Sequence, residues 1–413
     1  MRIGIVATRL DGISGASLEA AKWAAVLSRM GHEVFSCAGG LDPFGLPGML
    51  VPEMHYQHPL VEEVQRVAFA GMDSLPDLDA DIERKAQSLT VPLQAFIEDF
   101  RLEALVVENL LALPGHLPLG VALYETIKAT QIPTIAHHHD FYWDRAYYLV
   151  NRIPFMLHRV FPPDLPSIQH VVINSVMQRE LRARCGIEAT VIPNVMDFAN
   201  PPAPPDEYAQ NFREDMGFWP DATIVLQPTQ VVARKSIERA IELVEMLGTT
   251  RPYHFVITGE GSTEPGAYFE WLFERAVRAG IEIYFIGDRI GRHRETVGGE
   301  RMYTLHDVYP QASLVTFLSR HEGFGNGLLE AMYFKCPVVV NRYPAYRADI
   351  GPLGIQAVEI DEIVTPRAAV DVFELLDDPA RMDLMTACNY EIGQEHFSYE
   401  VLEQKLTQVL ERL

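Results

Sequence analysis

Short apolar, β-branched runs alternate along this chain with longer stretches whose apolar positions recur at helical spacing. Arg2 to Thr8 predicts a strand, Asp11 to Gly15 a glycine turn, Ser17 to Met30 a helix ended by Gly31, and His32 to Ala38 a second strand. Strand, turn, helix and strand in that order make a βαβ unit, which implies a parallel sheet. Prolines and glycines break the rhythm over residues 41–80 and predict an irregular excursion or lid. Order resumes with helices at Asp81 to Asp99, Pro118 to Thr130 and Val176 to Cys185. Strands are predicted at Ala104 to Glu108, Pro133 to His137, His170 to Asn174 and Thr190 to Ile192.

PPAPPDE, Pro201 to Glu207, reads as a linker, because its prolines can continue neither a helix nor a central strand. A second alternating series follows. Its strands are predicted at Thr223 to Gln227, His254 to Thr258, Ile281 to Ile286, Leu314 to Phe317 and Pro337 to Asn341. Its helices are predicted at Ser236 to Leu247, Ala267 to Ala279 and Gly327 to Lys335, and Tyr399 to Leu413 closes the chain as an amphipathic helix. The fold class is therefore α/β, with two Rossmann-like, doubly wound domains over residues 1–200 and 201–395. Residues 396–413 form a helix expected to pack back on the first domain. Sheets of this kind bind ligands at the carboxyl ends of their strands.

Composition narrows the function. A net charge of −22 argues against nucleic acid and against an anionic membrane surface, both of which call for surplus Lys and Arg. Before residue 200 the lysines are Lys22, Lys85 and Lys128 alone, which favours a small polar acceptor over a lipid-phosphate one. Cys37, Cys185, Cys336 and Cys388 are scattered, as expected of reduced thiols in a cytoplasmic protein. The opening MRIGIVATRL is too short for a signal or membrane segment.

Chemistry concentrates in SRHEGFGNGLLEAMYFK, between two predicted strands. Gly323, Gly325 and Gly327 permit a tight turn, and the following helix offers its first amides to phosphate or sugar oxygens. Glu322 and Glu330 flank that turn and suit vicinal hydroxyls, since each ionised oxygen accepts a strong hydrogen bond. A helix cap and a solvated helix residue are the plainer roles for the same two carboxylates.

EGFGNGLLEAM, IPNVMDF, VITGEG, YFIGD and VYPQASLVTFLS stand in the order of the retaining glycosyltransferase family 4, which the chain resembles over almost its whole length. That resemblance implies the GT-B fold, with the donor held in a cleft between the two Rossmann-like domains. It implies transfer of a hexose from a nucleotide diphosphate sugar, with no metal and no cofactor. GDP-mannose and UDP-glucose both remain open as donors. Glu330 would bind the donor ribose and Glu322 a sugar hydroxyl, with Gly323 and the amides of Phe324, Gly325 and Asn326 facing sugar and phosphates. Gly15 and Gly259 would approach the donor from strand-end turns, and Asp288, Arg289 and Ile290 would help form the base pocket. Lys235 corresponds to the lysine that neutralises the leaving diphosphate. Gln230 stands where the family carries an arginine, and the adjacent Arg234 is a candidate replacement.

HHHDFYWDR begins at a strand end. Neighbouring strand residues point to opposite faces, so three consecutive histidines cannot converge on one ion, and no Glu or Cys stands at a recognisable ligand spacing. By the resemblance His139 would contact the donor sugar, placing Asp140, Tyr142, Trp143 and Arg145 on the acceptor side; packing the loop is an equal role for Tyr142 and Trp143. The run Arg289 to Arg301, with four arginines, reads as a solvated loop. The HHHDFYWDR and FPPDLPSIQHVVINS segments further resemble bacterial enzymes making mannosylglucosylglycerate-type solutes. A nucleotide-sugar epimerase or a non-catalytic binding protein on the same fold is the alternative, and a homodimer stays open.

Overall fold

In a computed structural model the described residues are 1–12, 14–42, 45–70, 77–248, 251–259 and 267–413. They form two units, Met1–Val195 with Tyr399–Leu413, and Met196–Ser398. Among the described residues no helix is long and apolar enough to cross a membrane.

The first unit is built on a seven-stranded parallel sheet. Its strands are β1 (Arg2–Val6), β2 (Glu33–Ala38), β3 (Gly48–Leu50), β4 (Ala104–Glu108), β5 (Thr134–His138), β6 (Ile168–Val172) and β7 (Ala189–Val191), in the order β3-β2-β1-β4-β5-β6-β7. Central strands covered on both faces carry continuous apolar runs, and all five residues of β4 are buried, as are all five of β5. One face packs under the helices Leu78–Asp99 and Leu117–Thr130. The other packs under Gly15–Arg29 and the returning helix Tyr399–Leu410, whose Leu402, Leu406 and Val409 join Trp23, Ala24 and Leu27.

Helix ends show how local chemistry places the chain. His116 Nδ1 accepts from Leu119 N at 3.1 Å to cap the Leu117–Thr130 helix, and its Nε2 meets Glu53 O at 2.9 Å. A histidine buried in those two roles is held neutral, and burial pushes it down to about 4. The stretch expected as a lid is ordered where described. It contributes β3 and a helix at Pro59–Gln65, and Met54, Val61, Val64 and Phe69 lie in the core. Its apolar residues decide the outcome over its prolines.

The second unit holds a six-stranded parallel sheet of β8 (Thr223–Gln227), β9 (Tyr253–Ile257), β10 (Glu282–Phe285), β13 (Leu314–Phe317), β14 (Val338–Asn341) and β15 (Val358–Ile360). Its order is β10-β9-β8-β13-β14-β15, and a separate antiparallel pair, β11 (Glu295–Val297) and β12 (Glu300–Met302), stands apart from it. That pair corrects the solvated-loop reading of the arginine run. Arg294 pairs with Asp206 and with Asp307, and Arg301 pairs with Asp215 at 2.9 Å. Each sheet, being parallel, brings its own strands' carboxyl ends to one edge, and the candidate residues of each unit follow those strand ends.

Candidate functional site

In the second unit, β13 runs out into Glu322 and a turn that enters the helix Asn326–Tyr333. Gly325 sits at φ +117°, and a Cβ there would lie 2.3 Å from the Tyr343 hydroxyl. That hydroxyl donates to Phe324 O at 2.6 Å, so the turn, its glycine and Tyr343 specify one another. Gly327 lets the helix approach Phe317, whose ring would be 2.8 Å from a Cβ. Within the first turn of this helix Leu328 N and Leu329 N donate to Gly325 O at 3.0 and 3.1 Å, so the glycine also anchors the helix start.

Two cations converge on Glu322. Lys235, from the 3-10 turn Ala233–Lys235, ion-pairs with Oε1, and Arg234 Nη1 lies 3.8 Å from Oε2. Arg320 N donates to Arg234 O at 3.2 Å, tying the two loops together. Glu322 and Lys235 are nearly buried, whereas Arg234 is 44% exposed and Gln230 lies exposed at the end of β8. Gly259 packs on that same turn, since a Cβ would meet Thr229 O at 2.1 Å. Glu260 and Gly261 of the VITGEG segment lie outside the described residues.

Glu330, one turn into the helix, is buried and accepts from the Tyr309 hydroxyl at 2.5 Å. Tyr309 was not legible as a site residue. Burial, with the Glu330 charge beside it, pushes its phenol far above the ordinary range, so it remains a donor. Asp288 and Arg289 form a 3-10 turn after β10, and Ile290 is buried beside Tyr303. Arg289 donates from Nε to Arg301 O at 3.1 Å and so faces the β11–β12 pair.

In the first unit, Gly15 opens the helix Gly15–Arg29 beneath the Ser14 cap, next to Gly12 at φ +74°. Strand alternation separates the three histidines. His138 turns to one face, where its Nε2 meets His170 Nδ1 at 2.9 Å and His170 Nε2 meets Pro163 O at 3.1 Å. Burial keeps both neutral, with His170 at about 4 and His138 well below its usual value. His137 and His139 turn to the other face and meet Glu108 at the end of the neighbouring strand. His137 Nδ1 is 2.9 Å from Oε2 and His139 Nε2 is 2.5 Å from Oε1. Burial opposes the Glu108 charge, but the two imidazoles outweigh it and hold the carboxyl at about 2. Burial likewise opposes the His139 imidazolium, yet Glu108, Glu19 and Asp140 raise it above the ordinary histidine value.

No Glu stands at a recognisable ligand spacing in the sequence, but Glu108, 29 residues before His137, is its neighbour across the sheet. The ligand atoms of Glu108, His137 and His139 fall within 4.8 Å of one another, close enough to hold an ion. His137 Nδ1 and Glu108 Oε2 share a hydrogen bond and His139 faces Glu108 as an ion pair, while His137 Nε2 is buried without a hydrogen-bond partner among the described residues.

The rest of HHHDFYWDR forms a short loop. Arg145 Nη2 pairs with Asp140 Oδ2 at 2.7 Å, and Asp144 accepts from Phe141 N at 2.9 Å. Trp143 stacks on Phe141 at 4.5 Å and donates to Glu180 at 3.0 Å, while Tyr142 packs against the core and donates its N–H to Ala112 O. Both aromatics have packing duties, and Asp140, Asp144, Arg145 and His139 are polar groups of the loop.

Two parallel-sheet units, one with paired carboxylates around a glycine turn at a helix start, are the build of a GT-B glycosyltransferase. The sequence pattern described as Glycosyl transferases group 1 matches residues 209–358. The chain is 32% identical to the mannosylglucosylglycerate synthase of Thermotoga maritima, over 98% of this chain and 99% of that one. It is 31% identical to the enzyme of the same name from Petrotoga mobilis, over 96% and 98%. In structure it is similar to sucrose-phosphate synthase from Thermosynechococcus elongatus, with a TM-score of 0.70 at 15% identity over 100% and 98% of the two chains. HepE of Anabaena, solved with UDP and glucose, gives a TM-score of 0.68 at 14% identity, with both chains covered fully. The chain belongs to the group 1 glycosyltransferases, of GT-B fold, and is a hexosyltransferase.

Proposed function

We propose that this enzyme transfers mannose from GDP-mannose to glucosylglycerate, with retention at the anomeric carbon and without a metal. The name shared by its two full-length relatives supports the product, and the paired cations on Glu322 support the donor half. Lys235 stabilises the departing diphosphate, Arg234 takes the place of the cation missing at Gln230, and the Phe324–Asn326 amides receive phosphate and sugar oxygens. Glu330 accepts from the ribose and Glu322 from a sugar hydroxyl. Gly15, Gly259 and the Asp288–Ile290 turn complete the donor contacts. His139, Asp140 and Arg145 serve the reacting sugar and the acceptor, with Tyr142 and Trp143 shaping their loop. No described side chain stands out as a covalent nucleophile; the leaving phosphate takes the acceptor proton as the acceptor attacks from the same face.

The convergence of Lys235 and Arg234 on Glu322 beside the glycine turn carries this reading. It is tested by incubating the enzyme with GDP-mannose or UDP-glucose and glucosylglycerate, in EDTA, and resolving the product by NMR. An α-linked mannosyl product from GDP-mannose is expected. Transfer from UDP-glucose alone would replace the donor, an inverted linkage would end the retaining mechanism, and loss of transfer in EDTA would end metal independence.

A further inference from the structure

Glu108 closes a strand whose residues are all buried, and its own side chain is 1% exposed. A carboxylate there has lost its water and stays ionised only where cations or N–H donors replace it. His137 and His139 do so, and Trp23 stacks on His137 at 4.2 Å to cover that side. The next residue, Asn109, adopts φ +51°. This left-handed bend lets its side-chain oxygen accept His139 N at 3.0 Å and Asp140 N at 3.4 Å, while its own N–H donates to His137 O at 2.8 Å. One dipeptide therefore grips both the ring and the backbone of His139.

Resting on the assignment of His139 to the reacting sugar, we infer that Glu108 and Asn109 are positioning residues that hold the His139 ring and backbone in one orientation. Its Nε2 lies 2.5 Å from Glu108 Oε1, so the ring's other edge is turned away from that carboxylate. An imidazole fixed in a dry site meets phosphoryl or hydroxyl oxygens without reorganising first. The charged groups around His139 are Glu108 from β4, Glu19 from the Gly15–Arg29 helix, Asp140 from its own loop, and His137 two residues earlier. Lys22 neutralises Glu19 and Arg145 neutralises Asp140, which leaves Glu108 as the carboxylate committed to the imidazoles.

Two substitutions in the full-length chain separate ring from backbone. Glu108→Gln keeps the shape but removes the charge; Asn109→Gly keeps the left-handed bend but removes the accepting oxygen. The His139 titration is followed by NMR of histidine-labelled protein, identified by its loss in His139→Gln, alongside kcat and KM for hexose transfer. Glu108→Gln is expected to lower the His139 midpoint by about one pH unit or more and kcat by about tenfold or more, with donor KM little changed. Asn109→Gly is expected to lower kcat and leave the midpoint in place. An unmoved midpoint in Glu108→Gln overturns the inference. So does a stoichiometric metal in the parent protein that Glu108→Gln loses. If His139→Gln transfers hexose at the parental rate, the underlying assignment of His139 fails instead, and the titration tells the two failures apart.

Discussion

At the scale of single residues, two cations share one carboxylate beside the glycine turn. Lys235 and Glu322 are both nearly buried, so removing either leaves an uncompensated charge, at about 3–5 kcal/mol of stability. Arg234 is largely exposed, so its ion pair adds little to folding and its charge is free to act on a ligand. Lys235→Met should therefore lower both stability and transfer, the latter by about 10²–10³-fold. Pairing it with Glu322→Gln should restore the melting temperature without restoring transfer. Arg234→Met should keep the parental melting temperature and lose about tenfold in single-turnover transfer, a deficit that Gln230→Arg should recover in the same background. Failure of that rescue, measured at saturating donor, would place the second phosphate cation elsewhere.

At the scale of elements, β6 and the cap of the Leu117–Thr130 helix make the first unit sensitive to acid. His170 and His116 are held at about 4 by burial, whereas the unfolded chain takes up those protons near 6.5. Between those values the unfolded state binds more protons, so stability rises with pH and is lost as pH falls from about 6.5 towards 4. Glu108 adds a further loss below about 4.5, because its folded value near 2 favours the ionised form until then. Hydrogen exchange in β5 and β6 should accelerate across this window, and His170→Gln should flatten the dependence by about one proton. An unchanged slope would mean that His170 is not the group that resists protonation.

Other buried strands show what the sequence made legible. Ala104–Glu108, Thr223–Gln227 and Leu314–Phe317 are read correctly to the residue, because buried parallel strands are continuous apolar runs between polar turns. Short edge strands such as β3 and β15 carry no such run and escaped the reading. Glu322 and Glu330 announce themselves through their spacing around glycines. Glu108 and Tyr309 do not, since each matters through a partner on another element, and one sequence holds no record of which strand ends become neighbours. A carboxylate closing the apolar run ALVV, followed by Asn, was the one local hint.

At the scale of the whole molecule, the chain leaves the first unit at Val195 and returns to it at Tyr399. The returning helix buries Leu402, Leu406 and Val409 beside Trp23 and Leu27. Three such side chains contribute about 1.5–3 kcal/mol each, a sum comparable with the 5–15 kcal/mol that holds a whole domain together. The Arg29 pairs with Glu400 and Glu403 add little to this, being exposed. Deleting residues 399–413 should thus unfold or loosen residues 1–195 while residues 196–398 keep their exchange protection and any melting shift that the nucleotide-sugar donor gives the parent protein. Peptide-resolved hydrogen exchange with and without donor separates the outcomes. Equal loss of protection in both units would mean that the second unit's stability depends on the first, and loss of the donor shift alone would place essential donor contacts in residues 1–195.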